Sequence, residues 1–337
     1  MPTAIGHRPL VSIVCPAFNE EEVLPAFNEE LLRVMNTVES EFDCEIIYVD
    51  DGSKDSTPAV LLRMALADPR VNYLRLSRNF GNQAAVTAGL ERARGDAVVT
   101  MDSDLQHPPA VILEMLTEWR AGHDVVLTVR RDNKSLGLVK KLAVPVFYKA
   151  LRYCSGMDLK PAICDFRLLS RKALDVLVAM PERHRFLRAM VHWLGFPAAE
   201  IEFDVPPRFA GRSKFTLFQL VRLARDGLLS FSRVPLDAAV MMAGILLLLS
   251  FLGTTTAWFA FRPEGSLGWL LLALIGGAHM VGAGIWVALL AMSEYQARIH
   301  EQILGRPLYV VSESSDELRA AEVAFPLTAR EPRTEVA

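Results

Sequence analysis

The sequence predicts an α/β domain with a mostly parallel sheet, followed by a hairpin of two helices long enough to cross a membrane. Before residue 235, short apolar runs rich in β-branched residues alternate with longer helical stretches. Such alternation is typical of a parallel sheet covered by helices on both faces. After residue 235, two long runs carry almost no charge. These patterns divide the chain into a globular part and an apolar part.

Composition limits the class of protein. The 337 residues include 36 Lys and Arg against 39 Asp and Glu, a formal charge of −3. This near balance argues against binding of nucleic acid through bulk positive charge and against a disordered acidic tail as the main feature. Hydrophobic residues make up 51% of the chain and the mean hydropathy is +0.24, which is high for a soluble enzyme. The excess lies mainly in the apolar part.

Five strands are predicted in the globular part, at residues 10–15, 46–49, 71–76, 97–101 and 125–129. Ligands of open parallel sheets bind beyond the carboxyl ends of the strands. Four segments should therefore share one edge: residues 16–20, 50–53, 76–81 and 102–106. The chain contains neither GxGxxG after the first strand nor a GxxxxGK[ST] phosphate loop. A phosphate ligand would then have to be bound by another group, and a divalent metal is the obvious candidate.

Acidic side chains follow two of the predicted strands. Asp102 and Asp104 come after the fourth strand, and alternation along an extended segment points them in a similar direction to Gln106. Three oxygen ligands suit Mg²⁺ or Mn²⁺. A solvated acidic turn is the alternative for Asp102 and Asp104. For the turn at Asp50 and Asp51, the alternative is that it caps the next helix through Ser53, Asp55 or Ser56. Two acidic strand ends at one edge would repel each other without a cation or hydrogen-bond donors, which favours a nucleotide and metal site.

The apolar part contains two runs of membrane-spanning length. Residues 238–261 carry no charge, and residues 265–293 carry only His279 as an ionisable group. At about 1.5 Å per residue, each run exceeds the roughly 30 Å hydrocarbon core of a bilayer. We predict transmembrane helices at residues 236–262 and 266–293, joined as a tight hairpin. A pair of buried core helices is the alternative.

Basic residues near the apolar runs set the expected orientation. Arg222, Arg225 and Arg233 precede the first run, and Arg298 and Arg306 follow the second. By the positive-inside tendency, both flanking segments are cytoplasmic.

The start of the chain lacks the apolar centre of a signal peptide. The four cysteines show no CxxC spacing, so we expect a reducing compartment without a zinc site or disulfide. The expected location is the cell (inner) membrane, with two spans and a cytoplasmic globular part and C-terminus.

Several motifs, taken in order along the chain, resemble one enzyme family. They are PAFNEEEVLP, IIYVDDGSKDST, LSRNFGNQAAVTAGLERARGD, MDSDLQHPP, CDFRLLSRKAL, FAGRSKFTLFQL and RPLYVV. Together they are similar to the polyprenyl-phosphate glycosyltransferases of inverting family 2, which include dolichol-phosphate mannose synthases and undecaprenyl-phosphate glucosyltransferases. The resemblance spans residues 10–311. It implies a GT-A fold, a UDP- or GDP-linked sugar donor, a divalent metal and a polyprenyl-phosphate acceptor.

The resemblance also implies roles for individual residues. Contacts with the base and ribose of the donor are implied for Pro16, Phe18, Glu20 and Asp51. Contacts with the nucleotide and its diphosphate are implied for Asp102 and Ser103. Metal ligation is implied for Asp102, Asp104 and Gln106. Three positions depart from the commoner family pattern and bear on donor identity: Phe18 where Tyr is frequent, His107 where Asp is frequent, and Cys164 where Gly is frequent.

The acceptor is a phosphate monoester, whose second proton leaves near a pH of about 6, so a strong general base is not required. Asp165 matches the position often assigned as the base in this family. It either accepts a proton or orients the acceptor or a neighbouring arginine, and a structural ion pair with Arg167 or Arg171 is a third interpretation. The acceptor phosphate also needs cations of its own. The expected phosphate-binding residues are Arg130, Arg212, Ser213 and Lys214.

The expected organisation follows from these assignments. Residues 1–210 form the GT-A domain, residues 211–235 form membrane-proximal helices, and residues 294–337 form a C-terminal tail, mobile beyond residue 311. Residues 216–232 show amphipathic spacing that suits an interfacial helix guiding the lipid phosphate. Residues 138–153 either share this surface or form an ordinary core helix. Glycines in the second apolar run fit hairpin packing or a homo-oligomer.

The expected function is metal-dependent transfer of one sugar from a nucleotide-sugar donor to a polyprenyl phosphate at the cytoplasmic membrane face, with inversion at the anomeric carbon. A processive polysaccharide synthase of the same fold is the first alternative, although the QxxRW motif of such enzymes is absent from the chain. A non-catalytic membrane scaffold that kept the fold is the second. The intact DSDLQ segment argues against the scaffold.

Overall fold

The computed structural model of the chain describes residues 8–131, 149, 152, 163–206, 234–261 and 267–316. These residues divide into two compact units. The larger unit contains residues 8–131, 163–206 and 307–316 and is built around a sheet. The second contains residues 149, 152, 234–261 and 267–306, with two long helices. The predicted stretches 138–153 and 216–232 lie outside the described residues, except for residues 149 and 152.

The larger unit contains one eight-stranded sheet. Its strands are β1 (Leu10–Ala17), β2 (Asp43–Asp50), β3 (Val71–Leu76), β4 (Ala97–Thr100), β5 (Val125–Arg130), β6 (Ile163–Ser170), β7 (Ala198–Phe203) and β8 (Val311–Ser314). Their order across the sheet is β7-β5-β6-β4-β1-β2-β3-β8. The five predicted strands correspond to β1–β5, with ends that differ by at most three residues. The mostly parallel α/β class is confirmed.

Strand direction decides which residues meet at one edge. β1 is parallel to both β2 and β4, so the carboxyl ends of these three strands lie together. β6 runs antiparallel between β4 and β5, and Thr100 of β4 is paired with Arg167 of β6. The beginning of β6 therefore lies at the edge where β4 ends. Because β6 runs opposite to its two neighbours, Asp165 near its start lies beside the loops that carry the acidic residues.

Helices cover both faces of the sheet. They are α1 (Leu24–Asn36), α2 (Thr57–Ala67), α3 (Asn82–Arg92), α4 (Val111–Arg120), α5 (Arg171–Ala179) and α6 (Leu187–Trp193). In α1, the buried residues Leu24, Phe27, Leu31 and Met35 recur every three or four positions, so one face enters the core that α2 and α4 share. α3 packs on β1 and β2 from the other face. There, a Cβ added at Gly89 would lie 2.3 Å from Cγ1 of Val14, so only glycine allows this approach.

The expectation that the chain is mobile beyond residue 311 is wrong for residues 311–314, which form the C-terminal strand β8. β8 pairs antiparallel with the edge strand β3, and the backbone N–H of Ser77 donates to the carbonyl of Val310 at 2.8 Å. Just beyond it, Ser315 Oγ accepts the buried backbone N–H of Tyr73 at 3.0 Å. The four residues of β8, VSES, are too short and polar to give a strand pattern. Their structure depends on a partner about 240 residues away in sequence.

The second unit contains the two predicted apolar helices, α7 (Val234–Phe261) and α8 (Leu267–Ile303). The segments long and apolar enough to cross a membrane are Leu236–Thr256 and Leu271–Ile303, and only 11% of the residues in each apolar window are buried. Such exposure is unlike that of core helices in a soluble domain. The helices pack together closely, since Ser250 Oγ donates to the carbonyl of Gly277 at 2.9 Å. Residues 262–266, which join them, lie outside the described residues.

α8 is longer than the predicted span of residues 266–293 and occupies the first part of the expected C-terminal tail. Its last turns contain the sequence EYQARIHEQI. Most of these residues favour a helix, but the stretch is too polar to extend the predicted apolar run. Glu294 and Arg298 lie four residues apart there, with Oε1 and Nε separated by 3.9 Å. His279 contacts the carbonyl of Ile275 in its own helix at 2.8 Å.

Truncation tests the contribution of β8. A chain ending at Arg306 should lose roughly 1–3 kcal/mol of unfolding free energy, because the buried N–H of Tyr73 is left without the Ser315 acceptor. The measurement is thermal unfolding of the purified protein in detergent. A chain ending at Asp316 is the matched control and should unfold at the temperature of the full chain. Equal unfolding temperatures for the two truncated chains would contradict the role of β8.

Candidate active site

The loop after β1 is tied to the loops after β2 and β4 by side chains that bond to backbone. Asn19 has a left-handed backbone (φ 53°), and its N–H donates to Ser53 Oγ at 2.9 Å. Its side-chain oxygen accepts the N–H of Lys54 at 2.9 Å. Ser103 Oγ donates to the carbonyl of Pro16, also at 2.9 Å. Three strand ends are thus held in one arrangement by the protein itself.

Asp50 and Asp51 at the end of β2 hold the loops next to them. Asp50 is fully buried, and its Oδ1 accepts the N–H of Ser53 at 3.0 Å. Asp51 is 4% exposed and accepts the N–H groups of Phe80 and Gly81 at 2.7 and 2.9 Å. Burial raises the pKa of both carboxyls. At the start of α2, the N–H of Thr57 donates to Asp55 Oδ1 at 3.0 Å, so Asp55 is the one of the three expected capping residues that bonds there.

Gly52 makes this turn possible. Its φ is +69°, and a Cβ added there would lie 2.4 Å from the carbonyl carbon of Arg78. A side chain at this position would therefore push the loop after β3 away from the loop after β2. The close approach places the N–H groups of Phe80 and Gly81 within reach of Asp51.

The loop after β4 carries the two carboxylates of the DSDLQ segment. Leu105 has a left-handed backbone (φ 61°), which is rare outside glycine and is found at functional sites. Asp104 Oδ1 accepts the N–H of Gln106 at 3.0 Å. Removal from water, with the negative charges of Asp165 and Asp104, raises the pKa of Asp102 to about 7. A cation would relieve this repulsion.

The fit to a divalent metal rests on the donors that this loop supplies. Within the part of the chain that the structure describes, no three His, Cys, Asp or Glu side chains converge as a ready metal site. Asp102 and Asp104 nevertheless offer carboxylate oxygens from one short loop, and Asp102 is half-buried beside other negative groups. Oxygen donors with substrate phosphates complete the usual shell of Mg²⁺ or Mn²⁺. The residues therefore fit a metal that binds together with a phosphate ligand.

Asp165 lies between two arginines at the start of β6. Its Oδ1 accepts from Nη2 of Arg167 at 2.6 Å, and its Oδ2 accepts from Nη2 of Arg188 at 3.0 Å. Burial alone would raise the pKa of Asp165, but Arg188 and Arg167 outweigh it and lower the pKa to about 2. The side chain of Arg167 is only 2% exposed, so Asp165 provides the negative charge that this buried cation requires. Of the three interpretations of Asp165, the contact with Arg167 is the structural ion pair, and the contact with Arg188 fits orientation of a neighbouring arginine.

Arg171, the other proposed partner of Asp165, binds elsewhere. Its guanidinium donates to the carbonyl oxygens of Gly95 and Ala93 and contacts the carboxylate of Asp175 at 3.4 Å. Arg188 was not recognised from the sequence, because a single arginine in the helix α6 gives no local signal. Only the fold brings it to β6, 23 residues earlier in the chain.

A buried histidine lies between the acidic loop and Arg130. His107 is 1% exposed, its ring stacks on Phe166 with centroids 5.0 Å apart, and its edge faces Phe203. Nδ1 lies 2.9 Å from the backbone nitrogen of Asp102, and Nε2 lies 3.2 Å from Nη2 of Arg130. Burial and the positive charge of Arg130 lower the pKa of His107 to about 3, so the imidazole is neutral. Arg130 also donates from Nε to Cys164 Sγ at 2.9 Å.

The structure brings most of the predicted site residues to one sheet edge. They are Pro16, Phe18, Glu20, Asp51, Asp102, Ser103, Asp104, Gln106, Arg130 and Asp165. The predicted phosphate-binding residues Arg212, Ser213 and Lys214 lie outside the described residues. Two of the three positions that depart from the family pattern, His107 and Cys164, contact Arg130.

Comparison with known proteins identifies chains that are similar to this one. Residues 12–178 match the family model described as Glycosyl transferase family 2. The uncharacterized glycosyltransferase YkcC of Bacillus subtilis is 36% identical over 90% of this chain and 93% of its own length. The SfII prophage-derived bactoprenol glucosyl transferase of Shigella flexneri is 34% identical over 90% of this chain and 98% of its own length. Glucosyl-3-phosphoglycerate synthase from Mycobacterium tuberculosis, solved with Mn²⁺, UDP-glucose and phosphoglyceric acid, has 21% identity and a TM-score of 0.43, covering 66% of this chain and 79% of that one.

Substitution of Asp165 tests whether it holds the two arginines. Asp165→Asn should lower the unfolding free energy by about 3 kcal/mol, because Arg167 keeps its charge in a buried site without a carboxylate. Denaturant unfolding followed by tryptophan fluorescence measures the change. Asp175→Asn is the matched control, since that carboxylate is exposed and its loss should cost less than about 0.5 kcal/mol. If the two variants were equally stable, the arginines would not depend on Asp165.

Proposed function

Because the chain belongs to glycosyl transferase family 2 and is a glycosyltransferase, we propose that it transfers one sugar from a nucleotide-sugar donor to a polyprenyl phosphate. The observation that carries this proposal is the sheet edge where Asp102, Asp104 and Asp165 meet within a family whose model matches residues 12–178. The name of the Shigella flexneri relative, a bactoprenol glucosyl transferase, supports the acceptor class. The GT-A arrangement of the sheet supports the donor class.

The donor would bind across the ends of β1, β2 and β4. Pro16, Phe18 and Glu20 border the base and ribose, and Asp51 does so from the turn that also holds the loop at residues 78–81. Further contacts toward the diphosphate would come from Asp102 and Ser103. Since the three loops are already cross-bonded, little ordering would be needed when the nucleotide binds.

A divalent cation, Mg²⁺ or Mn²⁺, would be held by Asp102, Asp104 and Gln106 together with donor phosphate oxygens. When bound, it supplies positive charge that stabilises the departing nucleoside diphosphate. The protein's part is to present the two carboxylates on a loop whose conformation is set by Leu105 and by the bond from Asp104 to Gln106. The repulsion that raises the pKa of Asp102 supports this assignment.

The acceptor phosphate would approach from the side of Arg130. Its dianionic oxygen attacks the anomeric carbon opposite the leaving diphosphate, which inverts the configuration there. Arg130, Arg212, Ser213 and Lys214 would hold this phosphate. Because the nucleophile is already deprotonated at neutral pH, Asp165 is not needed as a strong base. Its role is to hold Arg188 and Arg167 at the edge where the two phosphate-bearing substrates meet.

The two apolar helices would anchor this enzyme in the membrane that contains its lipid acceptor. Their exposed surfaces include Leu248, Phe251, Leu272 and Trp286, which suit a hydrocarbon environment. The basic residues near both ends support a location of the sheet unit and the C-terminus on the cytoplasmic side of the inner membrane. Formation of a homo-oligomer remains part of the same proposal, through small residues of α8 that face outward, such as Gly276 and Gly282.

Transfer of labelled sugar tests the proposed reaction. Membranes containing the protein, undecaprenyl phosphate and a panel of UDP- and GDP-linked sugars should yield label in the organic phase, dependent on Mg²⁺ or Mn²⁺. Asp104→Asn should lower this activity by at least about a hundredfold, because it removes a charged metal ligand. Asp175→Asn, on the exposed side of α5, should retain full activity.

Each other result would change the assignment. Label in a water-soluble polymer would indicate a processive synthase, and no incorporation from any donor would indicate a scaffold. Activity that survives both chelation of metal and Asp104→Asn would overturn the metal site while leaving sugar transfer intact. Thermal stabilisation by one nucleotide sugar with Mn²⁺ would identify the donor, because only a ligand that binds the folded state shifts the unfolding temperature.

A further inference from the structure

We propose that His107 is a positioning residue that couples the loop after β4, which would hold the donor and its metal, to Arg130. It would do so because only one ring nitrogen of His107 at a time can accept a hydrogen bond. The inference rests on the proposed function, since it assigns Asp102 to the donor and Arg130 to the acceptor phosphate. His107 is buried against Phe166 and Phe203, so its ring has a fixed orientation between the two groups.

Both ring nitrogens of His107 face hydrogen-bond donors. The backbone N–H of Asp102 lies at 2.9 Å from Nδ1, and Nη2 of Arg130, which can only donate, lies at 3.2 Å from Nε2. A neutral imidazole has one N–H and one nitrogen that accepts. His107 therefore accepts from Asp102 or from Arg130, but not from both at once. The carboxylate of Asp102 does not resolve this conflict, since its Oδ2 is 3.8 Å from Nδ1.

The competition has a consequence for the bound substrates. When Nδ1 accepts from Asp102, the hydrogen on Nε2 faces Arg130, and Nη2 of Arg130 is directed toward another acceptor. A phosphate oxygen at that place would be such an acceptor. When Nε2 accepts from Arg130, the N–H of Asp102 becomes the donor that can bind a phosphate oxygen. A change at one substrate site is thereby transmitted to the other through a tautomer of His107.

Arg130 has a second contact that fixes its position independently. Its Nε donates to Cys164 Sγ at 2.9 Å, so the guanidinium plane is held from β6 while Nη2 remains the atom that His107 affects. His107 thus adjusts one donor of an arginine that is otherwise in place. This arrangement explains a role for a buried neutral histidine that touches neither phosphate nor sugar.

Two substitutions separate the two contacts of His107. The side-chain oxygen of Asn reaches the position of Nδ1, so His107→Asn keeps an acceptor for Asp102 and loses the contact with Arg130. The longer Gln side chain reaches the position of Nε2, so His107→Gln keeps an acceptor for Arg130 and loses that for Asp102. His123→Asn is the matched control, because His123 contacts only Glu118 among the described residues, at the end of α4.

We expect the two substitutions of His107 to impair the binding of different substrates. His107→Gln keeps Nη2 of Arg130 in its contact and should raise the KM for polyprenyl phosphate and lower kcat/KM for it by about ten- to hundredfold. The affinity for nucleotide with Mn²⁺, measured by titration calorimetry, should stay within about twofold. His107→Asn, which keeps the N–H of Asp102 in its contact, should show the reverse division. His123→Asn should match the wild-type protein in every measurement.

A double-mutant cycle tests whether His107 acts through Arg130. In an Arg130→Ala background, His107→Gln should change the acceptor KM by less than about twofold, because the group it adjusts is gone. The four proteins of the cycle are also titrated with farnesyl phosphate by calorimetry, which needs no turnover. The same factor in both backgrounds, or equal defects toward both substrates in the Asn and Gln variants, would overturn the proposal.

The binding measurements keep this proposal distinct from the proposed reaction. A wild-type protein that binds farnesyl phosphate and shows the expected cycle, yet transfers no sugar, would support His107 and overturn the reaction. A wild-type protein that transfers sugar while the cycle is additive would do the opposite. Failure of the wild-type protein to bind farnesyl phosphate would overturn the role of His107 in holding the acceptor site.

Discussion

The ion pairs of Asp165 with Arg167 and Arg188 are the interaction on which the site depends. Arg167 is almost wholly buried in β6, and a buried guanidinium without a nearby carboxylate would strongly destabilise the fold. Asp165 and Arg167 lie two residues apart in β6, and the antiparallel direction of β6 brings this pair to the edge where β4 ends. The backbone of Asp165 is fixed there as well, since Thr100 of β4 donates to its carbonyl at 2.6 Å. Asp165 also contacts Arg188 of α6, so two arginines from different elements meet one carboxylate at this edge.

The same edge balances two kinds of charge over short distances. Asp102, Asp104 and Asp165 bring negative charge, and repulsion among them contributes to the raised pKa of Asp102. Arg130 and Arg188 oppose it from the other side, so a cation and an anionic phosphate can each find complementary charge at this edge. The net charge of −3 for the whole chain conceals this local separation. Electrostatic preorganisation of this kind is what transfer between two phosphate-bearing substrates requires.

How much the sequence could predict depended on how local each signal was. The parallel strands and the acidic segment after β4 were predicted because their apolar runs and carboxylates are contiguous in sequence. The strand β8 and the contact of Arg188 were not predicted, because each depends on a partner that is distant in sequence. The partner of β8 is β3, and the partner of Arg188 is Asp165. His107 was noted only as a departure from a family pattern. Its two contacts appear only after β5 and the loop after β4 are brought together.

Strain in the loops is consistent with a site formed before ligands bind. Asn19 and Leu105 adopt left-handed backbones at the same edge, conformations that cost free energy unless the surroundings hold them. Asn19 is held by Ser53 and Lys54, and the loop of Leu105 is held on both sides, by Ser103 bonding to Pro16 and by His107 facing Asp102. Each of these bonds joins a side chain of one loop to backbone. Because the cost of ordering is already met on folding, donor binding energy can be used for the transition state.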